Sequence, residues 1–438
     1  MSTKRAPFRE LFGWAMFDFA NSSYTTVIIT VAFSVLFPKL IVGDEREGNF
    51  LWSVALSTSL LLVALSGPVL GSLMDFSAAK KKFLFASYLL TVTATSALYF
   101  VTPGAVALCF LLIVLSNYGF SVGENFSSSF LPDLGPPEDL GKISGIAWGV
   151  GYLGGLLSTA LVFLITTPHD ASNLDGVRLI GPLTGGFFLL AGIPTFLLLK
   201  ERGTARLLPP GESYLGAGFR RLGRTLRELR DFRDLIVFLF SFFFAYAGLS
   251  IVISFAFIYG DQVIRWSASS QAAMFVLTNI SAAAGAWLFG FIQDRIGDKR
   301  TYSITLVIWM LAVVLLWGAP GLTEWLNGVL GTQWKTESVF LSIGALAGLC
   351  LGSTQSAARA MVGVFSPESK AGEFYGFWGL FGKLSAIFGL MSLGFLQIHL
   401  GLRGSILLCV LFFFISLVIA LFVNEKRGRE MARQHTGE

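Results

Sequence analysis

Asp18, Asn21, Ser22 and Thr25 stand at i, i+3, i+4 and i+7, so an α-helix gathers them on one face. A carboxylate, a carboxamide and two hydroxyls can bind a cation, exchange a proton or hydrogen-bond a polar solute. A second set, Asn117, Ser121, Glu124, Asn125 and Ser128, repeats the spacing. Tyr246, Ser250 and Ser254 make a third, and Gly348, Gly352, Gln355 and Arg359 a fourth. Lys383 adds a base in a fifth segment. All of these lie inside long apolar runs. One charge near the centre of a bilayer costs about 3 kcal/mol on insertion scales. Each stripe must therefore face a watery cavity or an opposite charge. Two roles stay open for Asp18 and Asn21: bridging neighbouring helices, or binding substrate or a coupling ion and gating access to it.

The elements that carry these residues are membrane helices. Of the 438 residues, 54% are apolar, only 13% are charged, and 42 are Phe; soluble domains carry roughly 25% charged residues. Runs long enough for a bilayer recur at 11–37, 51–73, 83–101, 105–131, 143–166, 178–199, 234–259, 269–292, 301–318, 338–364, 373–397 and 404–423. The expected fold is an all-α integral membrane protein of twelve transmembrane helices. No cleavage site follows the first run, which is expected to remain as a span. Cys109, Cys350 and Cys409 fall inside spans and read as core residues.

Lys and Arg are distributed unevenly. With the N-terminus in the cytoplasm, the cytoplasmic segments hold Lys80, Lys81, Lys82, Arg295, Lys299, Arg300, the basic tail and an Arg-rich connection after helix six. The other side holds Lys39, Arg46, Arg178, Arg265, Lys335 and Arg403. This asymmetry places both termini in the cytoplasm. It accounts for the net charge of +5 without a nucleic-acid partner, since no RNA- or DNA-binding motif accompanies it. Phe219, Leu222, Leu226 and Leu229 recur at helical spacing within the connection, which predicts an amphipathic helix on the membrane surface.

The chain also reads as two copies. "GSLMDFSAAKKK" from Gly71 and "GFIQDRIGDKR" from Gly290 each place Gly four residues before an Asp and follow it with bases. The predicted units are 1–199 and 234–438, six helices each, joined by a basic linker at 200–233. The clearer copy, with Gly290, Asp294, Arg295, Gly297 and Arg300, resembles the loop signature of the major facilitator superfamily. The first keeps Gly71 and Asp75 but has Phe76 and Ala78 where that signature has a base and a glycine. "GWAMFDFANSSYTTVI", "SGIAWGVGYLGG", "GSTQSAARAMVGVFSPES", "EFYGFW" and "GLFGKLSAIFG" resemble segments of its vacuole-effluxer-like branch.

That resemblance implies a cavity lined by helices one, four, seven and ten, the four that carry most of the polar stripes. It implies that helices four and five close against ten and eleven on the cytoplasmic side. Asp18, Glu124, Arg359 and Lys383 sit at similar depth, so an inter-half network of two acids and two bases is expected. Asp75 would latch onto the start of helix eleven and Asp294 onto the start of helix five. The glycine sets Gly145/Gly149, Gly151/Gly155, Gly344/Gly348/Gly352 and Gly372/Gly376 predict close helix contacts.

The function expected is secondary transport of a small polar solute by alternating access, in a bacterial inner membrane, by a monomer without a cofactor. Eukaryotic relatives imply amino acids or small peptides, and efflux. Proton or sodium coupling is left open, and the base usual in helix four of proton antiporters is missing here. A non-transporting sensor on the same scaffold is the alternative. Metal-hydrolase and nucleophile-elbow motifs are absent from the sequence, and His169, His399 and His435 lie outside the polar stripes.

Overall fold

The computed structural model describes residues 4–166, 174–202 and 231–435, with positions 216, 220, 223 and 227. The amphipathic helix expected in the linker lies mostly outside the described residues. Among the described residues twelve long helices follow one another: α1 (Phe8–Val42), α2 (Glu45–Ser77), α3 (Lys80–Ser96), α4 (Val106–Ser128), α5 (Leu140–Ile165), α6 (Leu174–Leu198), α7 (Arg233–Tyr259), α8 (Ala268–Ile296), α9 (Asp298–Leu330), α10 (Thr336–Phe365), α11 (Ala371–Ser405) and α12 (Leu408–Leu421). A short helix, α13 (Glu425–Gln434), follows at 64° to α12. Eleven are long and apolar enough to cross a bilayer on their own, and α12 joins them when counted with α13.

Each expected run falls on one of these helices, but several ends differ. α2 starts six residues early because Asp44 caps it, its carboxylate accepting from the Glu47 N–H at 2.8 Å. α9 continues through Pro320 to Leu330, beyond the drop in hydropathy that set its expected end. α1 is not uniform. It turns π-helical over Tyr24–Ala32 and again over Phe37–Val42. A π turn breaks the 3.6-residue period, so the stripe drawn from Asp18 to Thr25 drifts at its far end.

The N-terminal segment, the α4–α5 connection, the start of the linker and α13 share one side, here the termini face. The Ala6 N–H donates to the Leu134 carbonyl at 2.8 Å. Arg433 and Arg429 both reach Glu138 at 3.5 Å.

The duplication extends to the ionic contacts at this face. Glu10, at the start of α1, takes Arg202 at 2.6 and 2.8 Å. Asp234, at the start of α7, takes Arg427 at 2.6 and 2.8 Å. The Lys81 N–H donates to Glu201 and its Nζ to the Leu199 carbonyl. Lys299 repeats this with Glu425 and the Leu421 carbonyl. In each copy the lysine thus satisfies carbonyls left open where the sixth helix ends.

The two sets of helices meet along two glycine seams. Cβ atoms added at Gly71 or Gly376 would strike the Gly372 and Gly67 carbonyls, so α2 and α11 touch backbone to backbone. Gly145 of α5 abuts the Ala286 carbonyl and Gly290 of α8 in the same way. Small residues allow this approach, which brings α4, α5, α10 and α11 together at the termini face.

Candidate functional site

The contacts between the two sets of helices are polar at their centre. Arg359 of α10 is buried and donates from Nη1 to Asp18 Oδ2 of α1 at 2.6 Å. Its Nε and Nη2 donate to the hydroxyl and carbonyl of Ser144 on α5, both at 3.0 Å. The guanidinium also lies over the rings of Trp14 and Trp148, at 4.8 and 5.3 Å. Tyr375 donates to the Arg359 carbonyl at 2.7 Å. A planar cation is thus held by one carboxylate, two oxygens and two π faces, which suits guanidinium and not ammonium.

The second pair is looser. Lys383 Nζ of α11 lies 3.6 Å from Glu124 Oε2 of α4, with 10% and 22% of their side chains exposed. That separation exceeds hydrogen-bond length. Both line a cavity of about 20 Å³ with Asn125, Tyr246, Gln355 and Trp378 among its walls. A space of that size holds roughly one water. Gln355 donates to the Tyr152 hydroxyl at 2.8 Å, a further link between α10 and α5. Phe242 packs against Tyr246 and Trp378 at 5.3 and 5.8 Å between ring centres.

The remaining stripe residues separate. Asn125 is buried against Gly379 and its Nδ2 lacks a hydrogen-bond partner, as does Asn21 Oδ1. Thr25 donates to the Ser22 carbonyl of its own helix at 3.2 Å. Asn117 reaches Ser59 Oγ of α2 at 3.0 Å, within the first set of helices. Gly348 and Gly352 leave the fourth stripe altogether. They pack on Thr278 and Ala282 of α8, so that face of α10 is a helix contact and only Gln355 and Arg359 turn to the other half.

Both loop carboxylates meet helix starts. Asp75 accepts from the Gly372 and Glu373 N–H groups, each at 3.0 Å, at the first turn of α11. Asp294 accepts from the Lys142 N–H at 3.2 Å, in the first turn of α5. Unsatisfied N–H groups and the helix dipole favour a carboxylate at both places. Arg295 and Arg300 are exposed, and Gly297 makes the break between α8 and α9 with φ +95°.

Ser144, Trp148 and Tyr152 belong to the site although only their segment was singled out. Their spacing, i, i+4 and i+8, is the signal that would have found them. Trp14 likewise precedes Asp18 by four residues. Among the described residues no cluster of His, Cys, Asp and Glu fits a metal ion.

Solved structures share this architecture. A proton:xylose symporter of the major facilitator superfamily, XylE, superposes with a TM-score of 0.70 at 13% identity, covering 97% of each chain. A bacterial homologue of the iron transporter ferroportin, in an outward-facing state, gives 0.67 at 13% identity over 94% of this chain and 98% of that one. The fold is that of a major facilitator transporter. The sequence profile described as vacuole effluxer Atg22 like matches residues 40–141 and 138–433, and the chain belongs to that family. An uncharacterized transporter of this superfamily, YxiO of Bacillus subtilis (strain 168), is 26% identical over 434 residues, 96% of either chain. Autophagy-related protein 22-1 of Aspergillus niger is 24% identical over 300 residues, which span 66% of this chain and about half (48%) of that protein. The protein is a membrane transporter by this kinship, not an enzyme.

Proposed function

We propose that the protein moves a small zwitterionic solute, an amino acid or short peptide, out of the compartment its termini face, by alternating access. The units 1–199 and 234–438 would rock as bodies, joined by the linker at 200–233. The observation that carries the reading is the Glu124–Lys383 pair at 3.6 Å, lining a cavity between the halves. A pair held at that distance has unspent hydrogen-bonding capacity. A solute ammonium can take Glu124 and its carboxylate can take Lys383, with Trp378 and Tyr246 against its apolar part. The family description, which names a vacuole effluxer, supports efflux. The basic asymmetry supports cytoplasmic termini, and the Bacillus relative supports a bacterial cell membrane.

Asp18, Arg359, Asp75 and Asp294 are assigned to closure of the termini face. Their contacts bind α1, α2, α5, α8, α10 and α11 across the boundary, and they must break for that side to open. The test is counterflow in proteoliposomes against a panel of amino acids, dipeptides and sugars, with and without a pH or sodium gradient. Exchange of zwitterions that is lost in Lys383→Gln supports the assignment. Exchange confined to sugars or anions overturns it, and no exchange of any solute by folded protein points to the sensor.

A further inference from the structure

A larger cavity, about 610 Å³, opens on the termini face where α7 begins, α8 gives way to α9 and α12 ends. Five of its lining residues are basic: Arg233, Lys299, Arg300, Lys426 and Arg427. Two of these are engaged. Lys299 Nζ donates to the Leu421 and Val423 carbonyls at 2.7 and 2.8 Å, and Arg427 holds Asp234. The cavity's acid, Glu425, is engaged as well, by the Lys299 N–H at 3.1 Å and by Arg429 at 2.7 Å. Arg233, Arg300 and Lys426 are exposed and make no ion pair or hydrogen bond with the described residues.

The same rim exposes apolar groups. Leu421 is 61% exposed and Phe422 72%, both at the end of α12 and both lining the cavity. Three exposed cations with no partner among the described residues, beside bare apolar side chains where membrane helices end, match one chemistry on both counts. The cations call for a phosphate, and Leu421 and Phe422 call for hydrocarbon attached to it. Basic pockets between helices at a membrane face are suited to such headgroups.

We propose that this cavity binds the headgroup of an anionic phospholipid from the adjoining leaflet. Arg233, Arg300 and Lys426 take its phosphate, and Leu421 and Phe422 carry the first acyl carbons. Because α13 forms one wall, the bound lipid ties α13 to the α8–α9 turn. The site is separate from the inter-half contacts and does not depend on which solute is transported.

The purified full chain, stripped of lipid in detergent, is titrated with phosphatidylglycerol, phosphatidylcholine or inorganic phosphate, and bound lipid is counted by native mass spectrometry. Phosphatidylglycerol should be retained in preference to phosphatidylcholine. Each neutralised cation should cost roughly fivefold, so Arg233→Gln/Arg300→Gln/Lys426→Gln should lose most of the preference and Lys426→Gln alone part of it. A control removing equal charge elsewhere on that face, Arg5→Gln/Arg9→Gln/Lys82→Gln, should keep it. Equal losses in the two triple variants, or equal retention of both lipids by the unaltered chain, overturns the site. Displacement of phosphatidylglycerol by an equal concentration of inorganic phosphate overturns the lipid assignment in favour of a soluble phosphate.

Discussion

Asp18 and Arg359 meet at 2.6 Å from helices that belong to different halves of the chain, 341 residues apart in sequence. Arg359 is the more buried of the two, with 2% of its side chain exposed against 14% for Asp18. The asymmetry decides which partner suffers when the pair is broken. Truncating the acid strands a buried guanidinium that cannot give up its proton.

Asp18→Asn keeps the shape and removes the charge. Breaking a buried pair typically costs about 3–5 kcal/mol, and the retained Ser144 and indole contacts should hold the loss toward the low end. We expect the closed termini face to open more often and net transport to fall. Cysteines introduced beside Ser144 should then label faster from that face; the natural ones, Cys109, Cys350 and Cys409, are all buried and add little background. Unchanged labelling in protein that still inserts would return the pair to a purely structural role.

Glu124 is the less committed of the two acids. Asp18 is already committed to a guanidinium at hydrogen-bond length, whereas Glu124 faces a water-sized cavity and a lysine beyond it. Because Glu124 is proposed to take the solute ammonium, Glu124→Gln should slow exchange by about tenfold or more, the loss of one charge-assisted contact at about 1.5–3 kcal/mol, and any gradient-driven accumulation should fall with it. Asp18→Asn should damage both modes together. Exchange that survives Glu124→Gln while accumulation alone fails would assign this carboxylate to a coupling ion instead of the solute.

Helix number, fold and duplication were legible in the sequence, because apolar run length and the Gly–Asp–basic loops report them directly. Side-chain partners across the halves were legible where charge sign and depth constrain them, as for Asp18, Glu124, Arg359 and Lys383. Gly348 and Gly352 stood in two expectations, a polar stripe and, with Gly344, a small-residue run for close packing; their contacts with α8 bear out the second and not the first. A small residue on a polar stripe reads as cavity-lining, but close packing against α8 needs the same residue type. The π turns of α1 were invisible, because periodicity is measured against the very geometry they depart from. The matching Glu10–Arg202 and Asp234–Arg427 pairs were within reach. "KER" at Lys200 and "NEKR" at Asn424 follow the sixth helix of each half, but short charged motifs at helix ends are common.

The two loop carboxylates should not be equal latches. Asp75 accepts two backbone N–H bonds at 3.0 Å and Asp294 one at 3.2 Å. Hydrogen bonds to a charged acceptor contribute about 1.5–3 kcal/mol each, so Asp75→Asn should loosen the α2–α11 seam more than Asp294→Asn loosens α5–α8. Cross-linking of cysteine pairs placed across each seam measures this. A larger drop in Asp294→Asn would mean that the closure depends on groups other than these bonds.

The two copies of the loop signature also differ in what their turns demand. Ala78 ends α2 in the left-handed region, φ 47° and ψ 42°, where an L side chain pays about 1–2 kcal/mol. Gly297 occupies φ 95° and ψ 158°, a conformation essentially confined to glycine. A Cβ there would also lie 3.2 Å from a Glu425 carboxylate oxygen. The first turn therefore tolerates alanine at a cost, and the second does not. Ala78→Gly should relieve that cost less the extra freedom of glycine in the unfolded chain, about 0.4–1 kcal/mol, leaving a net gain of roughly half a kcal/mol. Gly297→Ala should lose about 1–3 kcal/mol and disturb the Glu425 contact with Lys299. Thermal unfolding of both variants in one detergent compares them directly. A lower midpoint for Ala78→Gly, or an unshifted one for Gly297→Ala, would show that these backbone conformations do not set the stability of the two turns.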